Sequence, residues 1–365
     1  QSGALEEANR IVPQLLRATL SAIMMGYVVI TGINLGEYDF RLGRVLSAFV
    51  ILLILYSIAD IDQQAIPSNL YGSTKFIFWI IGVIVFYRLA RFGCLNTQVL
   101  IIFFRTIVVI ASICSCYYIF FITQRKWINA DAYLLLFCIP MLLIDIRSKL
   151  SIFLVGVASA TILLTIKRGA CMALLLSMTT YLVTYVKLNK MKLSFSKEKL
   201  FIGIILFVLV LVVIGAVSWE RIIDRMSDMQ DLDTMGSLRG TLYRLVFFHW
   251  LEADLKNQIF GFGFDSVSNY TEVYMYRGLF AHSDWLEMLH DFGIIGVCLL
   301  LWLHIEIILI VRKAYRQKLF ITPSLVMAYT IFCLTGVYSG MVMFPKTIFF
   351  SVFLGYACSV VDNSK

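Results

Sequence analysis

Long, uninterrupted apolar runs separated by short charged connectors dominate the chain. They predict eleven helices, over about residues 12–33, 45–59, 75–90, 98–122, 131–146, 149–166, 169–187, 200–218, 292–311, 319–340 and 344–361. The runs do not alternate apolar with polar positions. They therefore suit membrane-spanning helices of about 20 residues and not barrel strands. The 45–59 and 75–90 runs are short for a span and are expected to extend into their polar flanks. One long polar stretch, residues 219–291, interrupts the series. Within it, Leu242, Leu245, Val246, Trp250 and Leu251 fall near one face of Gly240–Lys256, which predicts an amphipathic helix. Gly261-Phe262-Gly263-Phe264 breaks that helix. Asp284 with Glu287 three residues on reads as a capping box opening the next one.

The pattern thus gives an all-α fold class: a polytopic transmembrane helical bundle of about 11–12 spans. Its organisation is residues 1–218 (about eight spans), a loop or lobe over 219–291, and residues 292–365 (about three spans).

Composition sharpens this. Hydrophobic residues make up 60% of the 365, charged residues 15%, and the mean hydropathy is +0.85. Soluble domains run at about 45–50% apolar and 25% charged. A soluble enzyme, a disordered chain and a disulfide-built secreted domain are excluded. Seven of the eight cysteines lie inside apolar runs and Cys94 at the edge of one, as small buried hydrophobes would.

The net charge of +8 is unevenly placed. Residues 219–291 hold 12 of the 23 acids but only 6 of the 31 Lys and Arg residues. The positive charge lies in connectors, above all Lys187–Lys199 and Arg312–Lys318. Such connectors are cytoplasmic by the positive-inside rule. One helix on each side then puts 219–291 on the opposite, periplasmic face. That distribution argues against nucleic acid as a partner. Eleven helices with a cytoplasmic C-terminus leave the N-terminus outside. This points to a further helix upstream of residue 1, or to a miscounted helix in the first 125 residues.

A few polar residues stand out against the apolar ground. Arg168 sits between two apolar runs, either snorkelling from a helix end or clamping an anion. Arg239 and Arg244 are rare cations in the acidic stretch, either paired with nearby acids or binding phosphate. His282 stands just before the helix opened by Asp284, where a neutral imidazole can accept a proton near pH 7. His290 and His304 are weaker candidates, lying on that helix and in a span. Asp60-Ile61-Asp62 and Asp231-Leu232-Asp233 have the spacing of a divalent-cation pair, but so short a pattern is common by chance.

Together these motifs resemble the O-antigen ligase and O-antigen polymerase superfamily of membrane glycosyltransferases. Thr165-Ile166-Lys167-Arg168-Gly169-Ala170 is similar to its Arg-initiated helix, and Arg239-Gly240-Thr241-Leu242-Tyr243 to its Arg in the periplasmic loop. Asn257-Gln258-Ile259-Phe260-Gly261-Phe262-Gly263 resembles its N-P-I-x-G-x-G turn without the Pro. The stretch from His282 through Leu286-Glu287 to Gly293-Ile294-Ile295-Gly296 follows its His motif, with Ser283 where Asn is common. Asn129–Tyr133 before Pro140 is a looser likeness. The resemblance covers about residues 125–311.

The resemblance implies an enzyme of the bacterial inner membrane with its site on the periplasmic face. It would transfer a glycan from undecaprenyl pyrophosphate to an acceptor sugar hydroxyl, with inversion. Arg168, with Arg239 or Arg244, would neutralise the pyrophosphate, and His282 would act as general base. No metal ligands and no cofactor are expected. The preferred activity is O-antigen polymerase, because the 219–291 stretch is rich in aromatics suited to sugars. O-antigen ligase, acting on lipid A–core, is the close alternative. A transporter or flippase for a lipid-linked glycan is the distant one, as no internal repeat is visible.

Overall fold

A computed structural model describes residues 19–27, 40–59, 66–122, 132–189, 239–275, 278–340 and 347–364. The predicted helix over 200–218, most of that over 12–33, and both Asp pairs lie outside the described residues. Residues 19–27 are helical (α1). Then follow α2 (Arg41–Ala59), α3 (Ile66–Arg91), α4 (Thr97–Tyr117, continued by a π turn over Tyr118–Ile122), α5 (Ala132–Ile144), α6 (Lys149–Leu164) and α7 (Arg168–Asn189). Beyond the undescribed stretch come α8 (Arg239–Leu251), α9 (Leu255–Phe260), α10 (Ser266–Met275), α11 (Asp284–Arg316), α12 (Thr322–Tyr338) and α13 (Ile348–Asn363).

Among the described residues the fold is all helical, as the pattern predicts. Both short runs do extend into polar flanks, as α2 and α3. Thr97–Phe121, Arg168–Leu188 and Asp284–Arg316 are long and apolar enough to cross a membrane. Large apolar side chains stand exposed on these helices, such as Ile113 at 64% and Phe121 at 77%. In water they would be costly, whereas lipid solvates them.

Helix α11 has 33 residues, about 50 Å at 1.5 Å per residue, against a hydrocarbon core of about 30 Å. It resolves this by breaking at Gly293, whose backbone is non-helical (φ 63°, ψ −154°). Asp284–Phe292 forms a separate first piece. The piece after Gly293 is long enough to span alone.

The chain forms two compact units, each drawn from separate stretches. One comprises residues 1–95, 245–310 and 340–365. Here α3 packs along α13, and the Tyr87 hydroxyl donates to Asp362 at 3.2 Å. Phe49, Phe76, Trp79 and Phe292 form a buried ring cluster, with Phe76 and Phe292 centroids 6.4 Å apart. The other unit comprises residues 96–244 and 311–339. Here α7 packs along α12, and α4, α5 and α6 pack together. Arg105 on α4 donates to Asp145 at 2.7 Å and to Ser148 at 2.8 Å, tying down the α5–α6 turn.

Candidate active site

In the unit of residues 96–244 and 311–339, α6 ends on a tight turn. Thr165 Oγ1 donates to Ile162 O at 2.7 Å and accepts from the Lys167 N–H at 3.3 Å. Ile166 takes φ 52°, a strained value for a β-branched residue. This turn delivers Arg168 as the first residue of α7. Arg168 is half-buried, and its side chain has no hydrogen-bond or ion-pair partner among the described residues.

Arg239 is the first described residue of α8. Its guanidinium donates to Tyr338 O at 2.7 Å, a carbonyl left without an intrahelical partner at the end of α12. The Tyr338 hydroxyl donates to Gly169 O at 2.5 Å. Tyr338 thus touches the residue after Arg168 with one end and Arg239 with the other. Gly169 makes this possible, since a Cβ there would stand 2.5 Å from the Tyr338 ring and 2.8 Å from the Tyr133 hydroxyl. Tyr133 bonds Ser339, and Lys167 Nζ lies 4.5 Å from the Tyr133 ring centroid. Arg244, one turn along α8, is exposed and takes no part in this cluster.

Arg168 stands at a helix N-terminus, where free N–H groups and the positive dipole end disfavour a cation and attract an anion. A bidentate guanidinium at that terminus suits a phosphate group.

The unit of residues 1–95, 245–310 and 340–365 holds His282. Its own backbone is left-handed, at φ 56°. Non-glycine residues there cost about 1–3 kcal/mol and cluster at functional sites. Its loop is held from both sides. Buried Thr271 accepts from the Leu279 N–H at 2.8 Å and donates to Leu279 O at 2.9 Å. Glu287 accepts from the Ala281 N–H at 2.5 Å. The expected capping box is therefore displaced: the helix opens at Asp284, but the Glu287 carboxylate reaches back to Ala281.

The two glycine motifs meet. Breaking α11 at Gly293 frees carbonyls in the preceding turn, and the Gly261–Gly263 segment satisfies two of them. Phe262 N–H donates to His290 O and Gly263 N–H to Asp291 O, both at 2.9 Å. A Cβ at Gly261 would collide with the Asp291 backbone, and one at Gly293 with Ile259 O. Gln258, where the resembled family has Pro, donates instead to Leu251 O at 2.8 Å and Ala253 O at 3.1 Å. Helix α8 consequently stops at Leu251, short of the predicted Lys256.

Sequence reasoning missed what this junction encloses. His249 Nδ1 and His290 Nε2 lie 2.8 Å apart. His290 Nδ1 is 2.7 Å from Ser266 Oγ, which is 2.7 Å from Asp291 Oδ1. Phe262 and Tyr270 stack on the His249 ring at 4.5 and 3.7 Å between centroids. Burial holds the His249 imidazole below its usual range, with Glu252 pulling the other way. The one signal in the sequence is that His290 and Asp291 fall within the His motif; His249 and Ser266 carry none. Among the described residues no three His, Cys, Asp or Glu side chains are grouped to hold a metal ion.

Residues 151–301 match the family model described as O-Antigen ligase. That stretch is an O-antigen ligase family domain. It contains Arg168, Arg239, Arg244 and His282, whereas Tyr338 lies beyond it. A comparison with curated proteins finds no match. The match supports an O-antigen ligase or polymerase type of membrane enzyme, and the helices long and apolar enough to cross a membrane agree with it.

Proposed function

We propose that the chain transfers a glycan from undecaprenyl pyrophosphate to an acceptor sugar hydroxyl on the periplasmic face, as an O-antigen polymerase. The observation that carries this reading is the Tyr338 bridge, which ties Arg239 and the residue after Arg168 to one tyrosine. Both arginines neutralise the pyrophosphate as the glycosidic bond breaks. His282 removes the acceptor hydroxyl proton, and in-line attack inverts the anomeric carbon. The supports are the anion-seeking N-terminus of α7, the strained backbone of His282 and the family match.

Polymerase is preferred because aromatic side chains cluster beyond α8, with Tyr270 and Tyr274 rings 4.5 Å apart and Tyr274 exposed. Such faces stack on sugars. Ligation to lipid A–core is the second reading, favoured by the description of the matched family. The glycan profile of a deletion strain separates them. Lipopolysaccharide capped with single repeats supports the polymerase, whereas polymer left on its lipid carrier supports the ligase. Complementation with Arg168→Ala or His282→Ala should fail; normal ladders from both would overturn the site. A reporter fused after residue 255 should read periplasm, and a cytoplasmic signal would reverse the orientation.

A further inference from the structure

The buried network beside the His282 loop is more than a strut. Its four side chains line up by hydrogen bonds of 2.7–2.8 Å in the order His249, His290, Ser266, Asp291. His290, Ser266 and Asp291 are buried, and His249 is half-buried. At the inner end Asp291 Oδ2 is buried and meets no hydrogen-bond donor among the described residues. A network built for stability alone would pair that oxygen, since an unsatisfied buried acceptor costs about 1–3 kcal/mol. Glu287 stands one turn before Asp291 on the same helix face, is also buried, and grips the peptide next to His282. Among the described residues no Lys or Arg pairs with either acid. Two buried carboxylates one turn apart without a cation disfavour double ionisation, so one of them keeps its proton.

We propose that His249, His290, Ser266 and Asp291 form a proton relay that carries the proton released by glycosyl transfer away from the His282 loop, with His249 Nε2 as its outlet. The inference rests on His282 as the base. The relay balances in both directions. In one state Ser266 donates to an ionised Asp291, His290 Nδ1–H donates to Ser266, and His249 Nδ1–H donates to His290 Nε2. In the other, Asp291 holds the proton and donates to Ser266, Ser266 donates to His290 Nδ1, and His290 Nε2–H donates to His249 Nδ1. His249 then carries its remaining proton on Nε2. Within the chain three O–H or N–H bonds break and three form, so the first state becomes the second when one proton enters at Nε2 and another reaches Asp291. Turnover runs this in reverse: Asp291 gives its proton to Ser266, the three shifts reverse, Nε2 releases one proton, and the proton that His282 took from the acceptor hydroxyl replaces it on the Glu287–Asp291 pair. The groups facing the relay are Glu252 beside His249, the Tyr270 phenol, Asp265 before Ser266, and Asp284 and Glu287 on α11.

The test is steady-state transfer by the purified full chain with a lipid-pyrophosphate-linked glycan, across pH. His249→Gln and Ser266→Ala should each lower kcat about tenfold with little change in KM, and should move the acid limb of the pH profile. Added imidazole should restore His249→Gln, whose site is half-open, but not Ser266→Ala. Ser266→Thr, which keeps the hydroxyl, should retain activity. His282→Ala run in parallel separates the two ideas. If it is inactive while the relay variants keep wild-type kcat and pH profile, the relay is overturned and the base stands. If His282→Ala stays active, the base reading fails and takes the relay with it. Should Ser266→Ala not fold, imidazole rescue of His249→Gln decides: rescue supports the relay, and a kcat loss without rescue overturns it.

Discussion

The Arg239 guanidinium donates to the Tyr338 carbonyl at 2.7 Å, while the Tyr338 hydroxyl holds the carbonyl of Gly169, next to Arg168. A single tyrosine thereby fixes one arginine and the turn that starts the other's helix.

This arrangement distinguishes the two candidates on α8. Arg239→Ala should lower glycan transfer on the order of 10²–10³-fold, and Arg244→Ala, at an exposed position, should leave it within about twofold. Initial rates with purified protein measure both. A larger loss in Arg244→Ala would exchange their roles.

The Gly293 kink and the Gly261 turn interlock with no room for side chains. Gly293→Ala should destabilise the protein by roughly 1–3 kcal/mol or more, from positive φ and overpacking together. Gly156, on α6, has nothing within 4 Å of the place a methyl group would take. Gly156→Ala should leave the unfolding temperature unchanged or slightly raised. Thermal unfolding in detergent compares them, and equal effects would contradict the packing described.

Thr271 is a positioning residue for the His282 loop. Thr271→Val should lower kcat about tenfold, equivalent to ~1.4 kcal/mol, while Thr271→Ser retains most activity. The serine variant distinguishes the hydroxyl's two bonds from the packing of the methyl group. Equal losses in both would assign the effect to packing.

Burial depresses the His249 pKa in the folded protein, so the folded state favours the neutral ring. Its contribution to stability is fully present above the unfolded value of about 6.5 and is lost as pH falls through the lower folded value. Unfolding temperatures between about pH 7.5 and 4.5 should therefore fall less steeply for His249→Gln than for the wild type. Parallel slopes would remove His249 from the acid response.

Transfer by the purified protein should persist in EDTA, since the arginines and the N-terminus of α7 supply the positive charge. Strict dependence on Mg²⁺ or Mn²⁺ would move attention to Asp60 and Asp62 or Asp231 and Asp233.

The membrane-helix class was legible in the sequence because lipid imposes a local rule: about 20 apolar residues in a row, whatever their partners. Arg168, Arg239 and His282 stood out as candidates for a related reason, as polar groups are scarce on such a ground and stand in recognisable local motifs. The break at Gly293 was not, because its cause is a turn about thirty residues earlier that takes over the freed carbonyls. Nor was the preference for Arg239 over Arg244, which depends on where the end of α12 comes to rest. The chain from His249 to Asp291 was invisible for the same reason. Its members come from three helices, and a hydrogen bond of 2.7–2.8 Å between residues 24 to 41 positions apart leaves no local pattern. Sequence alone determined the solvent the helices live in and the scarce charged groups they carry; tertiary packing decided which of those groups meet.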